Sequence, residues 1–310
     1  MPESSGKNNI LIVGAGGRMG AALARHYRQD HQVTALRRTD LDVTKVDTLR
    51  PTLAPLEFDT LIYTAGLTNV DQCEDQPEEA RLCNAETPKI LAQICAEKGA
   101  RLIHISTDYV FDGRKNLALT ETEPPNPLSV YGKTKLAGET AVLKVSPHFL
   151  VIRVSWLFGP DRPSFPDMIL KNALAQDHVA AIADKVSCPT YSEDLASWIE
   201  PMLSDNRYCG LLHLSNSGST NWQAYGQATL DIAAELGLPL KATKVDALYR
   251  ADFPIFKAER PEFTAFDTSK YTKLSSIVPR NWQDALRDYL QKQYQSSARF
   301  FIAVSSIVAI

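Results

Sequence analysis

The chain has 310 residues, of which 44% are hydrophobic and 22% charged, which excludes a disordered polar chain and leaves room for about two domains. Its formal net charge of −3, with no long Lys/Arg run, argues against nucleic acid as a main partner. No apolar run approaches the ~20 residues that span a bilayer, and Met1 to Asn9 carries no apolar signal core. The expectation is therefore a soluble cytoplasmic protein without a membrane partner. Cys73, Cys83, Cys95, Cys188 and Cys209 are odd in number and form no CxxC pair, so they read as reduced thiols acting as small hydrophobes.

In chain order, Ile10-Leu11-Ile12-Val13 predicts a short buried strand that stops at Gly14-Ala15-Gly16-Gly17-Arg18-Met19-Gly20. A helix-compatible stretch follows from Met19 to about Gln29. Strand, glycine turn and helix open a doubly wound fold. Further strands are expected at Gln32 to Leu36, Asp59 to Ala65, Arg101 to Ile105 and Phe149 to Val154. The spacing of Ala80, Leu82, Ala85, Ile90, Leu91, Ile94 and Cys95 predicts a helix over 77–98, and another is expected over 128–145.

Short apolar strands alternating with helices imply a parallel α/β sheet of the Rossmann type, with ligands at the carboxyl ends of its strands. Those ends are expected near Gly14, Ala65, Ser106 and Arg153. After Arg153 the pattern loosens. Pro160, Pro163 and Pro166 punctuate a loop, and helices are expected over 166–175, 193–203 and 222–236. This gives a Rossmann domain over 1–153, with 185–205 packing back on it. A smaller mixed α/β substrate domain would take 154–184 and 206–295. The apolar tail 296–310, with Phe300 to Ile310 nearly all hydrophobic, has no assigned role.

Gly14, Gly17 and Gly20 fit a GxxGxxG turn that brings a helix N-terminus against a pyrophosphate, with Arg18 and Met19 in the same loop as further cofactor contacts. The second strand runs into Arg37-Arg38. Arginine at this place suits a 2′-phosphate, which favours NADPH, with NADH as the alternative. Asp42 is a candidate acceptor for the adenine amino group or a helix cap before Lys45.

Tyr131 and Lys135 stand at i and i+4 and share a helix face. A free tyrosine titrates near ~10, and a nearby ammonium is expected to lower that value and make it a usable acid. Lysine can also hold the nicotinamide ribose while tyrosine protonates a carbonyl oxygen that receives hydride on its carbon. Thr107, at the end of a strand, can polarise the same oxygen.

These stretches, in this order, are shared with a known family. Gly14–Gly20, Ala65-Gly66, Val70-Asp71, Asn84-Ala85, Ser106-Thr107-Asp108-Tyr109-Val110-Phe111-Asp112-Gly113, Tyr131-Gly132-Lys133-Thr134-Lys135, Arg153-Val154-Ser155-Trp156, Cys188-Pro189-Thr190 and Asp194-Leu195-Ala196 resemble the extended short-chain dehydrogenase/reductases. Within them the chain is most similar to the dTDP-4-dehydrorhamnose reductases, over nearly all of 8–290. The resemblance implies Thr107, Tyr131 and Lys135 as catalytic residues. It implies Val70, Asp108, Tyr109 and Trp156, with Thr107, toward a nucleotide sugar, and Ala65, Gly66 and Ser106 along the cofactor. The implied reaction is NADPH-dependent reduction of the 4-keto group of dTDP-4-dehydro-6-deoxy-L-mannose to dTDP-L-rhamnose.

Some members of the family dimerise around a magnesium ion held by glutamates. This glycine loop has no glutamate, so no metal is expected, while a homodimer stays an expectation. Ala65-Gly66 departs from the more usual Ala-Ala. Related dehydratases place an Asp-Glu pair after the threonine, and related epimerases carry small hydroxyl residues there, so Thr107-Asp108-Tyr109 favours reduction. The other reading left open is an NADP-binding regulatory subunit, since the beta subunit of methionine adenosyltransferase resembles the same reductases.

Overall fold

The computed structural model describes residues 7–252 and 256–294. The apolar segment Phe300 to Ile310 lies outside the described residues. The first half runs β1 (Asn9–Val13), α1 (Arg18–Tyr27), β2 (Gln32–Leu36), α2 (Val46–Leu53), β3 (Thr60–Tyr63), α3 (Val70–Asp75), α4 (Pro77–Arg81), a π-helical turn (Leu82–Glu86), α5 (Thr87–Lys98), β4 (Arg101–Thr107), α6 (Val130–Val145) and β5 (Leu150–Val154). The second half follows with β6 (Leu157–Phe158), α7 (Phe165–Ala175), β7 (Val179–Ile182), β8 (Val186–Ser187), β9 (Thr190–Tyr191), α8 (Ser192–Ile199), β10 (Gly210–His213), β11 (Thr220–Asn221), α9 (Trp222–Glu235), β12 (Val245–Leu248), α10 (Ser269–Ser275) and α11 (Trp282–Tyr294).

Six strands form one parallel sheet in the order β10-β5-β4-β3-β1-β2. Its central strands are apolar along their length because helices cover both faces. Alternation divides them: Ile10 and Ile12 pack with Leu23, Tyr27, Leu195 and Ile199 on one face. Leu11 and Val13 pack with Leu49, Leu91 and Val142 on the other. Each fully buried aliphatic side chain contributes about 1.5–3 kcal/mol relative to exposure. A separate core, with Phe158, Ile169, Tyr225, Val245, Trp282 and Leu286, holds α7, α9 and α11 together. The doubly wound parallel sheet with a smaller mixed second region is thus the observed fold.

Two departures from the sequence reading have physical causes. Gly210–His213, expected in the second region, is the sixth strand of the main sheet, with His213 opposite Arg153. The single helix expected over 77–98 is interrupted by the π-helical turn. There Asn84, fully buried, turns inward: its Oδ1 accepts from the Leu67 N–H and its Nδ2 donates to the Leu67 carbonyl and to Thr134 Oγ1. A widened turn of this kind re-aims a side chain that an even helix would carry elsewhere.

Candidate active site

The glycine loop leaves β1 at Gly14, whose φ of +99° suits glycine and ends the strand abruptly. Beside it lies a cavity of about 380 Å³ at the carboxyl ends of β1, β2 and β3. Gly14, Gly17, Arg18, Met19, Arg37, Asp42, Ala65 and Gly66 all border it, together with Arg38, Thr44 and Arg162. Arg37 forms no ion pair with a described residue, whereas the exposed Arg38 lies 3.6 Å from Glu79. Asp42 Oδ1 accepts from the Thr44 N–H at 3.1 Å and from Thr44 Oγ1 at 2.8 Å, and these bonds hold its carboxyl below the usual range. Arg18 is already engaged. It donates to the carbonyls of Leu157, Arg162 and Pro163, while Arg162 Nε donates to Gly16 O. Gly66 has a reason of its own: a Cβ there would sit 2.7 Å from Asn84 Oδ1. The buried asparagine of the π turn therefore takes the space of the more usual alanine.

The Tyr131 helix, α6, is seated on the end of β4. Ser129 Oγ accepts the Gly132 N–H at 3.2 Å and Glu74 accepts the Val130 N–H at 2.8 Å, capping its first turn. A side chain at Gly132 would overlap the carbonyl oxygen of Tyr109, so glycine permits the contact. Tyr131, Lys135 and Glu139, at four-residue intervals, are buried on one face. Lys135 Nζ donates to the Ile105 carbonyl at 2.6 Å. Glu139 pairs with the buried Arg153 at 2.6 Å and accepts from the Ser106 hydroxyl. Ser106 therefore points its hydroxyl to Glu139 of α6, and the hydroxyl of Thr107, the next residue of β4, faces Tyr131 nearer the start of the same helix.

The tyrosine titration expected from the sequence needs correction. Burial pushes the Tyr131 phenol well above its ordinary value, opposed in part by the Thr107 hydroxyl that faces it. Lys135 does not offset this, because its amine is turned to the β4 carbonyl. Burial in turn lowers Lys135 from 10.5 to about 8, with Glu139 acting against that shift.

Val70 and Tyr109 pack with Tyr131 in one apolar cluster, and the Tyr109 and Tyr131 rings meet edge-on at 5.5 Å. Trp156 stands apart from this group. It has a positive φ of 40° and stacks at 3.8 Å on Trp222, and its buried indole N–H has no partner among the described residues. The structure also brings in residues that the sequence did not single out. Lys185 donates to Tyr109 Oη, and Ser187 and Thr264 bond Asp108. Separately, Arg260 pairs with Asp71 of the Val70-Asp71 stretch at 2.7 Å. No local pattern marks Lys185, Ser187 or Thr264, since they reach Asp108 and Tyr109 from far along the chain. Among the described residues no group of three or more His, Cys, Asp or Glu side chains is arranged to hold a metal. No helix among them is long and apolar enough to cross a membrane.

The family described as RmlD substrate binding domain matches residues 8–295. The chain is 32% identical over 286 residues to the dTDP-4-dehydrorhamnose reductase of Aggregatibacter actinomycetemcomitans, covering 90% of this chain and 97% of that one. It is also 32% identical over 298 residues to the dTDP-4-dehydrorhamnose reductase of Escherichia coli K12, covering 94% and 99%. A crystal structure of dTDP-4-dehydrorhamnose reductase from Bacillus anthracis in complex with NADP superposes with a TM-score of 0.85 at 26% identity, covering 92% of this chain and 99% of that one.

Proposed function

Because the chain belongs to the RmlD substrate-binding domain family, we propose that it reduces the 4-keto group of dTDP-4-dehydro-6-deoxy-L-mannose to dTDP-L-rhamnose with NADPH. The observation that carries this reading is the meeting of Thr107, Tyr131 and Lys135 at the end of β4, on a sheet whose neighbouring strand ends border the glycine-loop cavity.

The cavity suits a dinucleotide. Gly14 and Gly17 border it without side chains, the absence of one at Gly20 lets α1 close on the Gly14 carbonyl, and the start of α1 faces the cavity. The uncommitted Arg37 would meet the 2′-phosphate, which makes NADPH the cofactor before NADH. Asp42 would accept from the adenine amino group, and Ala65, Gly66, Ser106 and Met19 would line the path toward the nicotinamide. When bound, NADPH supplies the hydride. Tyr131 would give its proton to the carbonyl oxygen, so that the ketone becomes an alcohol. Thr107 bonds the same oxygen. Lys135, held by the Ile105 carbonyl, would supply a fixed cation for the cofactor ribose. Val70, Tyr109 and Trp156 would surround the sugar nucleotide, with the buried Asp108 behind Thr107.

The division into a cofactor domain over the first half and a substrate domain over most of the second belongs to the same proposal, as do a cytoplasmic location and a homodimer. Light scattering on the purified protein tests the homodimer. The function is tested by mixing purified protein, NADPH and dTDP-4-dehydrorhamnose. Loss of reduced-cofactor absorbance that depends on the sugar nucleotide is the expected result. No such loss overturns the reading.

A further inference from the structure

Asp108 is 2% exposed and forms no ion pair with any described residue. Its Oδ2 accepts from Thr264 Oγ1 at 2.6 Å and from Ser187 Oγ at 3.1 Å. Its Oδ1 lies 3.1 Å from Thr107 Oγ1. Lys185 is as deeply buried but turns its ammonium to Tyr109 Oη at 3.1 Å and to the Pro261 carbonyl at 3.3 Å.

The protonation of this cluster decides what Thr107 can do. A hydroxyl has one hydrogen and two acceptor positions. If Asp108 were a carboxylate, Thr107 would spend its hydrogen on Oδ1 and offer a substrate carbonyl only lone pairs. If Oδ1 carries a hydrogen, the direction reverses: Oδ1 donates and Thr107 accepts. The Tyr109 N–H already fills the second acceptor position of Thr107 at 3.3 Å. Thr107 then keeps its single hydrogen, which faces the Tyr131 hydroxyl and can turn from it to a ligand carbonyl. Oδ2 is the less suitable place for the hydrogen, because two hydroxyls already point to it.

We propose that Asp108 works as a neutral carboxylic acid whose hydrogen sits on Oδ1, and that it thereby turns Thr107 into a hydrogen-bond donor toward the carbonyl oxygen of the substrate. The inference rests on the reductase reading for its substrate, and it makes Asp108 a positioning residue acting through Thr107.

The surroundings act in the same direction. Burial raises the Asp108 carboxyl, opposed by Lys185 and by the hydroxyls of Thr264, Ser187 and Thr107. The other titratable groups facing Asp108 are Tyr109 beside it, Tyr131 from α6 and Cys188 after β8, and each is pushed by burial toward its neutral form. Burial also lowers Lys185 to about 8, with Asp108 opposing and the Arg260 and Arg250 charges reinforcing the shift. Lys185 and Asp108 are thus both driven toward uncharged states, as in sites where a carboxylic acid is kept neutral so that it can donate.

Infrared difference spectroscopy on the whole protein, wild type minus Asp108→Asn at pH 7, reads the hydrogen directly. The expected result is a free-acid carbonyl band that shifts in D2O and is lost in the variant. Carboxylate bands in its place overturn the proposal, whatever the activity. A band in a protein that fails the reductase assay would sink the function and leave the protonation standing.

Kinetics tests the link to Thr107. An asparagine amide can still donate to Thr107, so Asp108→Asn should lower kcat by about ten-fold, against about 10²–10³-fold for Asp108→Ala, the loss expected when one donor to a developing oxyanion is removed. Equal losses in two variants that circular dichroism shows to be folded overturn the link.

Discussion

Around the glycine loop, Arg18, Arg37, Arg38 and Arg162 border an open cleft, and Arg37 has no counter-charge among the described residues. Around Asp108 the polar groups are buried, and they are hydrogen-bonded to one another. The first region attracts an anionic ligand through charge that water screens. The second excludes water, so the position of a single proton governs its chemistry. One active site thus holds two electrostatic regimes, and a substitution should reveal which regime it touches.

The largest effect is expected in the buried regime. Tyr131→Phe should lower kcat by about 10³-fold, within the range of general acid catalysis, while isothermal titration shows cofactor affinity nearly intact. Full turnover in that variant would remove Tyr131 from the role of acid. Next comes the support beneath it. Glu139→Ala leaves Arg153 buried without its partner, which should cost about 3–5 kcal/mol of stability in urea unfolding. A loss below about 1 kcal/mol would put the pair in the class of exposed ion pairs.

Arg37→Asp probes the open regime. It should raise the Kd for NADPH by about 10–100-fold and leave NADH nearly unaffected, as expected for one charge-assisted contact of about 1.5–3 kcal/mol. Equal weakening of both cofactors would show that Arg37 does not meet the 2′-phosphate.

The smallest effect is a slope in pH. Lys135 is protonated below about 8 and loses its charge above that, so kcat/KM should fall on the alkaline side with a midpoint near that value. Lys185 also titrates near 8, and the limb should survive Lys185→Gln if it belongs to Lys135. The linkage to stability follows from the same shift. The folded value lies below the ordinary 10.5, so protons bind the unfolded chain more readily. This group's contribution therefore weakens as pH falls from about 10.5 to about 8 and is constant below.

The same contrast explains what the sequence could show. The glycine turn, Arg37 and the Tyr131–Lys135 spacing are local patterns, and each stands where its strand or helix carries it. The Asp108 cluster is assembled from β4, β8 and the segment before α10, so its hydroxyls leave no periodic or spaced signature. The inward turn of Asn84 was hidden for another reason. Its helical spacing is regular, and only the close approach of Gly66 and Thr134 reveals that the turn had to widen. The fate of Gly210–His213 was likewise set by pairing with β5, a contact that a short apolar stretch in an irregular region does not announce.

The crossed arginines at the glycine loop have a mechanical meaning. Arg18 reaches from the start of α1 to three carbonyls of the segment after β5, and Arg162 reaches back from that segment to the Gly16 carbonyl. The loop that would meet the pyrophosphate and the strap leading into the second region are therefore tied as one rigid piece. The same bonds set the glycine turn beside Leu157, the residue after Trp156, so the cofactor cavity and the Trp156–Trp222 stack adjoin one short stretch of chain.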